Sequence, residues 1–183
     1  PKKKTNKVVL MAGGMGTRLM PLTENTPKPM LKIGNKPILL TIVNKFEECG
    51  YTNFVMCLNY KSRVIQDYFG DGKKFGVKIV YILEEERMGT AGALSLLKDK
   101  LKEPFFVMNG DLLTNLDFEK MLDFHIKGKS KATMCVRAFN IDIPYGEVKL
   151  ENEELISIVE KPVHKIFVNA GIYVLSPQLA KQV

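Results

Sequence analysis

A glycine-rich loop near the N-terminus and two basic residues after it are the first features that could support chemistry. The loop covers residues 13–18, reads Gly-Gly-Met-Gly-Thr-Arg, and directly follows an apolar run that is typical of a strand. Glycines at such a position let the backbone approach a phosphate and present N–H groups to it. Arg18 and Lys28, the latter between Pro27 and Pro29, could together neutralise a polyphosphate. The segment therefore predicts a polyphosphate-binding site.

The residues around this loop disfavour two common phosphate-binding motifs. A dinucleotide fingerprint that starts at Gly14 needs Gly or Ala where the chain has Leu19. A Walker A loop needs Gly-Lys-Ser/Thr where the chain has Gly16, Thr17 and Arg18. A hydride-transferring enzyme and a P-loop ATPase are therefore disfavoured. For the glycine cluster taken alone, a plain turn at the exit of a strand remains the alternative.

Asp111 is the acidic residue best placed to complement these cations. It follows an apolar run at residues 105–108 and the pair Asn109-Gly110. A carboxylate is a suitable Mg²⁺ ligand, because this ion typically takes one or two protein carboxylates together with waters and phosphates. Asn-Gly-Asp alone would more often form a turn, but beside Arg18 and Lys28 it predicts a Mg²⁺ site.

The elements that must position these residues alternate between strand and helix in the first part of the chain. Predicted strands cover residues 8–12, 53–58, 77–83 and 105–108. Predicted helices cover residues 37–48, 62–69, 90–101 and 117–127. This alternation predicts a parallel sheet with helices on both faces, in which ligands bind outside the carboxyl ends of the strands. The glycine loop and Asp111 should therefore lie at the same edge.

Beyond residue 127 the pattern changes to strands with little helix between them. The strand-like segments cover residues 131–139, 146–151, 155–160 and 167–175. The whole chain is therefore predicted to be an α/β protein, a Rossmann-like three-layer sandwich with a mostly parallel central sheet. Its second half is predicted to be more mixed or antiparallel and to bind a second ligand.

Composition and length bound the class of protein. The chain has 183 residues, of which 45% are hydrophobic and 26% charged, as in an ordinary globular domain. No apolar run approaches the roughly 18 residues that would span a bilayer, and no signal-peptide pattern is visible. Cys49, Cys57 and Cys135 form no Cys-x-x-Cys pair. A cytoplasmic protein without a membrane partner is expected.

The net charge of +7 does not by itself indicate a nucleic-acid partner. Four of the lysines fall within the first seven residues, at positions 2, 3, 4 and 7. Residues 1–7 are therefore interpreted as a linker or solvated tail, and residues 8–183 as one domain. That domain shows no basic stripe with interleaved aromatic residues, so no nucleic-acid binding is expected.

Residues 12–30 read AGGMGTRLMPLTENTPKPM and resemble the signature of the sugar-1-phosphate nucleotidyltransferases. The resemblance extends from about Lys7 to Ser176. It includes Met-Gly-Thr-Ala-Gly-Ala at 88–93, Asn-Gly-Asp at 109–111, Val-Glu-Lys-Pro at 159–162 and Asn-Ala-Gly-Ile-Tyr at 169–173. Nucleotidyl transfer brings two polyanions together, so it needs cations and a metal more than a nucleophile. His125 and His164 are accordingly expected to be structural or solvated.

The resemblance implies roles for individual residues. Arg18 would hold the triphosphate and stabilise charge as pyrophosphate leaves, Lys28 would bind phosphate, and Asp111 would hold Mg²⁺. The implied nucleotide-binding residues are Leu10, Ala12, Gly13, Gly14, Gly16, Thr17, Glu85, Gly89 and Thr90. The implied sugar-phosphate-binding residues are Gly146, Glu160, Lys161 and Asn169. Among these, Lys161 would grip the phosphate.

The segment 84–92, Glu-Glu-Glu-Arg-Met-Gly-Thr-Ala-Gly, resembles the guanylyltransferases of this family. A carboxylate such as Glu85 could accept hydrogen bonds from N1–H and N2–H₂ of guanine, although a solvated acidic run is the alternative. GTP is therefore the expected nucleotide. For the sugar, the chain is similar to glucosamine-1-phosphate guanylyltransferases of bacterial legionaminic-acid biosynthesis. Mannose-1-phosphate guanylyltransferases share nearly all these motifs and remain the alternative.

The resemblance also bears on what surrounds the chain. The family supplies a second metal-binding aspartate from a later strand, so the domain is expected to be incomplete at its C-terminus. The legionaminic-acid enzymes carry a regulatory CBS pair upstream, which fits a chain that begins at Pro1. A homo-oligomer is left open. A non-catalytic nucleotide-sensing or assembly subunit is the second hypothesis, although such proteins tend to lose the glycine loop, the arginine or the aspartate that this chain keeps.

Overall fold

The computed structural model describes residues 2–84, 92–97 and 100–180 and divides the chain into two compact units. The first unit comprises Pro1–Thr133 and Gly171–Val183, and the second comprises Met134–Ala170. The second unit is therefore an insertion, because the chain leaves the first unit and later returns to it.

The secondary structure of the described residues follows the predicted alternation. The strands are β1 (Lys4–Met11), β2 (Lys32–Ile33), β3 (Lys36–Pro37), β4 (Tyr51–Leu58), β5 (Lys78–Leu83), β6 (Phe105–Asn109), β7 (Ala132–Asp142), β8 (Glu147–Glu151), β9 (Glu154–Val159) and β10 (Val163–Leu175). The α-helices are α1 (Ile38–Glu48), α2 (Ser62–Phe69), α3 (Phe118–Lys127) and the short α4 (Pro177–Ala180). Short 3₁₀ turns lie at Thr17–Leu19, Lys28–Met30, Lys73–Phe75 and Ala93–Leu97.

The central sheet has the strand order β5-β4-β1-β6-β10-β7. Strands β5, β4, β1 and β6 are parallel, whereas β10 runs antiparallel to β6. The apolar runs that form β1 and β6 are buried, as expected for parallel strands covered on both faces. The prediction of an α/β sandwich with a mostly parallel sheet and added antiparallel strands is confirmed.

Helix α1 covers one face of this sheet with an apolar stripe. Phe46, near its end, is fully buried, and its ring stacks on Phe118 of α3 with centroids 3.7 Å apart. The same ring meets Tyr51 and Phe106 edge-on. The opposite face has its own cluster, made by Val9, Val55, Cys57, Leu94, Leu97, Leu101, Phe105 and Val107.

The strand order creates a crevice at one place in the sheet. From β1 the chain winds to β4 and β5 on one side, and then crosses to β6 on the other side of β1. The carboxyl ends of β1 and β6 therefore form a topological switch point, where loops diverge to opposite faces and leave room for a ligand. The glycine loop follows β1, and Asp111 follows β6.

Most predicted bounds differ from the structure by one to four residues, and two differences change how a segment is assigned. Strand β1 begins at Lys4, so residues 4–7 belong to the sheet and not to a linker: the Lys4 N–H donates to the Gly50 carbonyl, and the Asn6 side chain donates to the Pro104 carbonyl. The predicted helix at 90–101 is described only in part, and Ala93–Leu97 within it forms a 3₁₀ turn.

The second unit consists of strands alone. Strands β8 and β9 form an antiparallel hairpin in which Val148 pairs with Ile158. Its turn residues Asn152 and Glu153 both have positive φ, which a two-residue type I′ turn requires. Strands β7 and β10, neighbours in the central sheet, both extend into this unit. The antiparallel character predicted for the second half is confirmed.

Candidate nucleotide-binding cleft

A cleft of about 790 Å³ lies in the first unit at the carboxyl ends of its strands. Its lining comprises residues 11–19, Lys28, Pro29, Asn59, Glu84, Asn109, Asp111 and Leu112. The structure thus brings the glycine loop, both predicted phosphate cations and the predicted metal ligand into one cavity. Leu10, also predicted to bind nucleotide, is instead fully buried within β1. The predicted Glu85, Gly89 and Thr90 lie outside the described residues.

The glycine loop is held closely by the segments around it. Gly16 has φ +65°, and a Cβ there would lie 2.9 Å from Thr23 Cγ2. A side chain at this position is therefore excluded both by the backbone and by the neighbour. The Thr23 hydroxyl donates to the Gly16 carbonyl at 2.9 Å, and the Leu19 N–H donates to the same carbonyl. These contacts shape the turn that carries Arg18.

Arg18 is exposed at the cleft, in the 3₁₀ turn Thr17–Leu19. Among the described residues, no carboxylate forms an ion pair with its guanidinium. A cation that lines a cavity without an acidic partner is suited to bind an anionic ligand. The guanidinium fork matches the geometry of phosphate oxygens.

Lys28 and Asp111 meet directly in the cleft. Lys28 Nζ lies 2.5 Å from Asp111 Oδ2, and both side chains are partly buried. Lys28 is positioned by its proline-flanked turn, in which the Met30 N–H donates to the Pro27 carbonyl at 2.8 Å. The sequence predicts each residue as a ligand for a different group, whereas the structure shows that they also neutralise each other.

Asp111 supplies the donor chemistry that a magnesium ion needs. Within the described parts of the chain, no three His, Cys, Asp or Glu side chains cluster as a metal cage. A single carboxylate at a phosphate-sized cleft does fit Mg²⁺, which usually completes its shell with phosphate oxygens and waters. Asp111 would hold such an ion, and the ion would supply charge neutralisation between phosphate groups.

Asn59 and Glu84 also line the cleft; the sequence reasoning missed Asn59 and named Glu84 only within the segment 84–92. The Asn59 side-chain amide donates to the Glu84 carbonyl at 2.7 Å, and the Glu84 N–H donates to the Leu58 carbonyl at 2.8 Å. Each residue directly follows a parallel strand, β4 or β5, just as Asp111 follows shortly after β6. That position was the available signal, because polar residues at strand ends face the ligand side of such a sheet.

The predicted sugar-phosphate residues belong to the second unit. The Lys161 N–H donates to the Tyr145 carbonyl at 3.2 Å, and a Cβ on Gly146 would lie 3.2 Å from Glu160 Oε2. Gly146, Glu160 and Lys161 are thereby brought together by two adjacent loops. Asn169 lies on β10 in the same unit and is exposed.

Neither histidine lines the cleft. His125 is buried, with Nδ1 2.9 Å from Thr133 Oγ1 and Nε2 3.0 Å from Ser176 Oγ, and burial lowers its pKa. His164 is exposed and lies 2.6 Å from Glu147 Oε2. The structure thus agrees with the expectation that the histidines are structural or solvated.

Similarity to known proteins identifies the family of the chain. Residues 7–183 match the family model described as nucleotidyl transferase. The chain belongs to the nucleotidyl transferase family. It is 38% identical over 188 residues to "Probable mannose-1-phosphate guanylyltransferase 1" of Oryza sativa subsp. japonica, covering 97% of this chain and 52% of that protein. It is 35% identical over 186 residues to the mannose-1-phosphate guanylyltransferase catalytic subunit beta of Dictyostelium discoideum, covering 97% and 51%.

Solved structures agree with this assignment. HddC from Yersinia pseudotuberculosis superposes with a TM-score of 0.75 at 30% identity, covering 97% of this chain and 80% of that one. The same protein complexed with GMP-PN gives a TM-score of 0.73. The resemblance seen in the sequence is therefore confirmed at the level of the family.

The nucleotidyl transferase chain spans about half the length of the curated relatives it matches. The similarity to legionaminic-acid enzymes and the upstream CBS pair stay predictions. Within the described residues, no helix is both long and apolar enough to cross a membrane.

Proposed function

We propose that this chain contributes the nucleotide-binding cleft and sugar-phosphate loops of an enzyme that condenses GTP with a sugar-1-phosphate to give a GDP-sugar and pyrophosphate. The observation that carries this proposal is the meeting of the glycine loop, Arg18, Lys28 and Asp111 in one cleft at the switch point of the sheet. Relatives named as mannose-1-phosphate guanylyltransferases support mannose-1-phosphate as the sugar substrate.

The reaction forms a bond between an oxygen of the sugar phosphate and the α-phosphorus of GTP, and it breaks the bond from that phosphorus to the β-phosphate. Repulsion between the two polyanions is the main obstacle, so positioned cations supply most of the catalysis. Arg18 neutralises the charge that develops on the departing pyrophosphate, and Lys28 binds phosphate oxygens. Asp111 would hold Mg²⁺, which would supply further charge neutralisation between the phosphates.

No side chain needs to act as a nucleophile in this scheme. Cys57 lies beneath the cleft, and burial raises the pKa of its thiol to about 12. It therefore stays protonated and unreactive at neutral pH. Lys161 in the second unit binds the sugar phosphate, and Glu160, Asn169 and the backbone of Gly146 contact the sugar.

Glu84 is the described residue best suited to read guanine. It lines the cleft at the carboxyl end of β5. A carboxylate accepts from both N1–H and N2–H₂ of guanine, whereas adenine has no hydrogen on N1 and carries no N2 amine. These features support Glu84 as the residue that selects the base, with the neighbouring Glu85 as the candidate that the sequence suggested.

The direct test measures pyrophosphate release by the full-length protein with Mg²⁺. GTP, ATP, UTP and dTTP are each combined with mannose-1-phosphate, glucosamine-1-phosphate and glucose-1-phosphate. We expect GTP with mannose-1-phosphate to give the fastest release. Absence of release with every pair would overturn the proposal and favour a nucleotide-binding subunit without catalysis.

Glu84→Gln tests the reading of the base. Because the substitution replaces one acceptor oxygen by a donor, we expect the preference for GTP over ATP to fall by roughly tenfold to a hundredfold, or about 1–3 kcal/mol. Ratios of kcat/KM for the two nucleotides measure this change. Glu85→Gln is the matched comparison: an effect confined to Glu85→Gln would contradict the assignment to Glu84.

A further inference from the structure

We infer that Asn59 and Tyr60 are a pair of positioning residues, of which Asn59 sets the base end of the cleft and Tyr60 sets its phosphate end. The two residues follow directly on β4. Asn59 contacts Glu84, and Tyr60 contacts the segment 23–24 that follows the glycine loop. The inference rests on the proposed nucleotide-binding role of this cleft. Neither residue needs to touch the reacting atoms.

Asn59 acts on the end of β5. Its Nδ2 donates to the Glu84 carbonyl at 2.7 Å, while the Glu84 N–H donates to the Leu58 carbonyl at 2.8 Å. Both backbone groups of Glu84 are thus held by consecutive residues of one segment. Since a side chain projects from its own backbone, this clamp fixes where the Glu84 carboxylate can lie in the cleft.

Asn59 also lies close to the start of the glycine loop. A Cβ on Gly13 would lie 3.2 Å from both the Cβ and the backbone nitrogen of Asn59. The backbone and Cβ of Asn59 make this close approach, whereas its amide makes the bond to Glu84. A substitution that removes the amide and keeps the Cβ therefore separates the two contacts.

Tyr60 acts on the segment between the glycine loop and Lys28. Its hydroxyl lies 3.1 Å from the Glu24 carbonyl and 3.4 Å from the Thr23 carbonyl, and the single proton is shared between them. Both carbonyls belong to the stretch that leads from Arg18 to Lys28. Tyr60, which follows β4, therefore stabilises this stretch through its hydroxyl.

Thr23 connects the segment held by Tyr60 to the elements that carry the two basic residues proposed to bind phosphate. It is fully buried, and its hydroxyl donates to the Gly16 carbonyl at 2.9 Å. Gly16 begins the turn that carries Arg18, and a Cβ on Gly16 would lie 3.1 Å from Lys28 Cβ. Contacts thus run continuously from Tyr60 through Thr23 to the elements that carry Arg18 and Lys28.

Because neighbouring residues hold opposite ends of the cleft, their loss should have separable effects on binding. A purely structural role would weaken every ligand alike. The probes are GMP-PNP, AMP-PNP and inorganic tripolyphosphate, each titrated into the full chain by calorimetry in the presence of Mg²⁺. The affinity for tripolyphosphate reports on the phosphate end alone, and the ratio of the affinities for GMP-PNP and AMP-PNP reports on the base end.

Asn59→Ala and Asn59→Leu test the base end. Both remove the donor to the Glu84 carbonyl without adding a charge to the cleft, and Asn59→Leu nearly keeps the size of the side chain. We expect the GMP-PNP to AMP-PNP affinity ratio to fall by about threefold to tenfold, as for one lost hydrogen bond. Tripolyphosphate affinity should stay within about twofold of wild type. Asn6→Ala is the matched control, because its amide also donates to a backbone carbonyl but lies outside the cleft.

Tyr60→Phe tests the phosphate end by removing only the hydroxyl. We expect all three ligands to bind about threefold to tenfold more weakly, with an unchanged ratio between the two nucleotides. Tyr81→Phe is the matched control, since its hydroxyl donates to the Gly70 carbonyl outside the cleft.

Parallel losses for all ligands in both sets of variants, or no change in either, would overturn the inference. If wild type binds neither tripolyphosphate nor nucleotide, the proposed function and this inference fail together. If wild type prefers another base and Asn59→Ala erodes that preference, only the assignment of guanine fails. Circular dichroism confirms that each variant is folded before it is titrated.

Discussion

The two units of this chain differ sharply in how they bury their apolar side chains. In the first unit, Val8, Val9 and Phe46 are fully buried between the sheet and its helices. In the second unit, Leu150 and Ile158 of the β8–β9 hairpin are 61% and 59% exposed. A sheet with helices against it builds its own core, whereas a two-stranded hairpin cannot.

The two units also carry different parts of the candidate site. The residues proposed to bind phosphate and base line a cleft whose walls rest on a close-packed core. The residues proposed to bind the sugar phosphate lie on exposed loops and on β10. Elements with few buried apolar contacts open at lower free energy than core strands. We therefore expect substitutions in the first unit to affect folding and nucleotide together, and those in the second unit to affect the sugar phosphate alone.

Phe46→Ala compared with Phe167→Ala tests the difference in burial and has the largest expected effect. Phe46 is fully buried and stacked on Phe118, so its loss should lower the free energy of unfolding by about 3–5 kcal/mol. Phe167 in the second unit is 68% exposed, so its loss should cost about 0.5 kcal/mol or less. Urea denaturation measures both. A cost above about 1 kcal/mol at Phe167 would show that its apolar surface is covered in solution.

Asp111→Asn tests the chemistry of the first unit. The change removes the carboxylate that pairs with Lys28 and that would hold Mg²⁺. We expect kcat/KM for pyrophosphate release to fall by about 10²–10³-fold, comparable to the loss of one key electrostatic group. The exposed Asp71, paired with Lys73, provides the control Asp71→Asn. Wild-type activity in Asp111→Asn would remove this residue from the site.

Lys161→Ala tests the separation of roles between the units. Removal of one cation from a phosphate site should raise KM for the sugar phosphate by about tenfold to a hundredfold. The affinity for GMP-PNP should stay unchanged, because the cleft belongs to the first unit. Steady-state kinetics and calorimetry provide the two readouts, with the exposed Lys165→Ala as control. An equal loss of nucleotide affinity would contradict the division.

The smallest effect is expected for His125, whose contribution to the free energy of unfolding depends on pH. Burial lowers its pKa from the ordinary 6.5, so the folded state favours the neutral ring that joins Thr133 and Ser176. Its contribution to stability is complete above pH 6.5 and is lost as the pH falls through the lowered pKa. His125→Asn should therefore cost about 1 kcal/mol at pH 8.

The measurement for His125 is the difference in unfolding free energy between wild type and His125→Asn across pH 4–8. We expect that difference to narrow toward acid. The exposed His164→Asn serves as the comparison. A difference that stays constant with pH would mean that protonation of His125 has no effect on folding.

Local sequence pattern predicted the elements of the first unit well. Helix α2 occupies the predicted residues 62–69, and β6 extends the predicted strand by one residue. Hydrophobic periodicity is a local property, so it carries this information. Strand β1 was predicted to begin too late, because its first residues are polar. Lys4 and Asn6 are held by hydrogen bonds to the Gly50 and Pro104 carbonyls, which a pattern of polarity does not reveal.

The ion pair between Lys28 and Asp111 could not be predicted in the same way. It depends on β6 lying beside β1, and strand order is a property of the whole sheet. The place of β10 beside β6 was equally hidden, since it too is set by the strand order of the whole sheet. Asn59 was missed because polar residues at strand ends are also ordinary turn residues.

The second unit leaves the first within β7 and rejoins it within β10, and this has a consequence for how the proposed substrate range can change. Its two ends leave and rejoin the first unit on adjacent strands of a sheet, where the Ser176 N–H donates to the Lys131 carbonyl. Anchors already held together make the entropy cost of a longer or shorter insert small. The segment Met134–Ala170 can therefore change in length or sequence at small cost, and under the proposed function the sugar acceptor can change while the nucleotide cleft stays as it is.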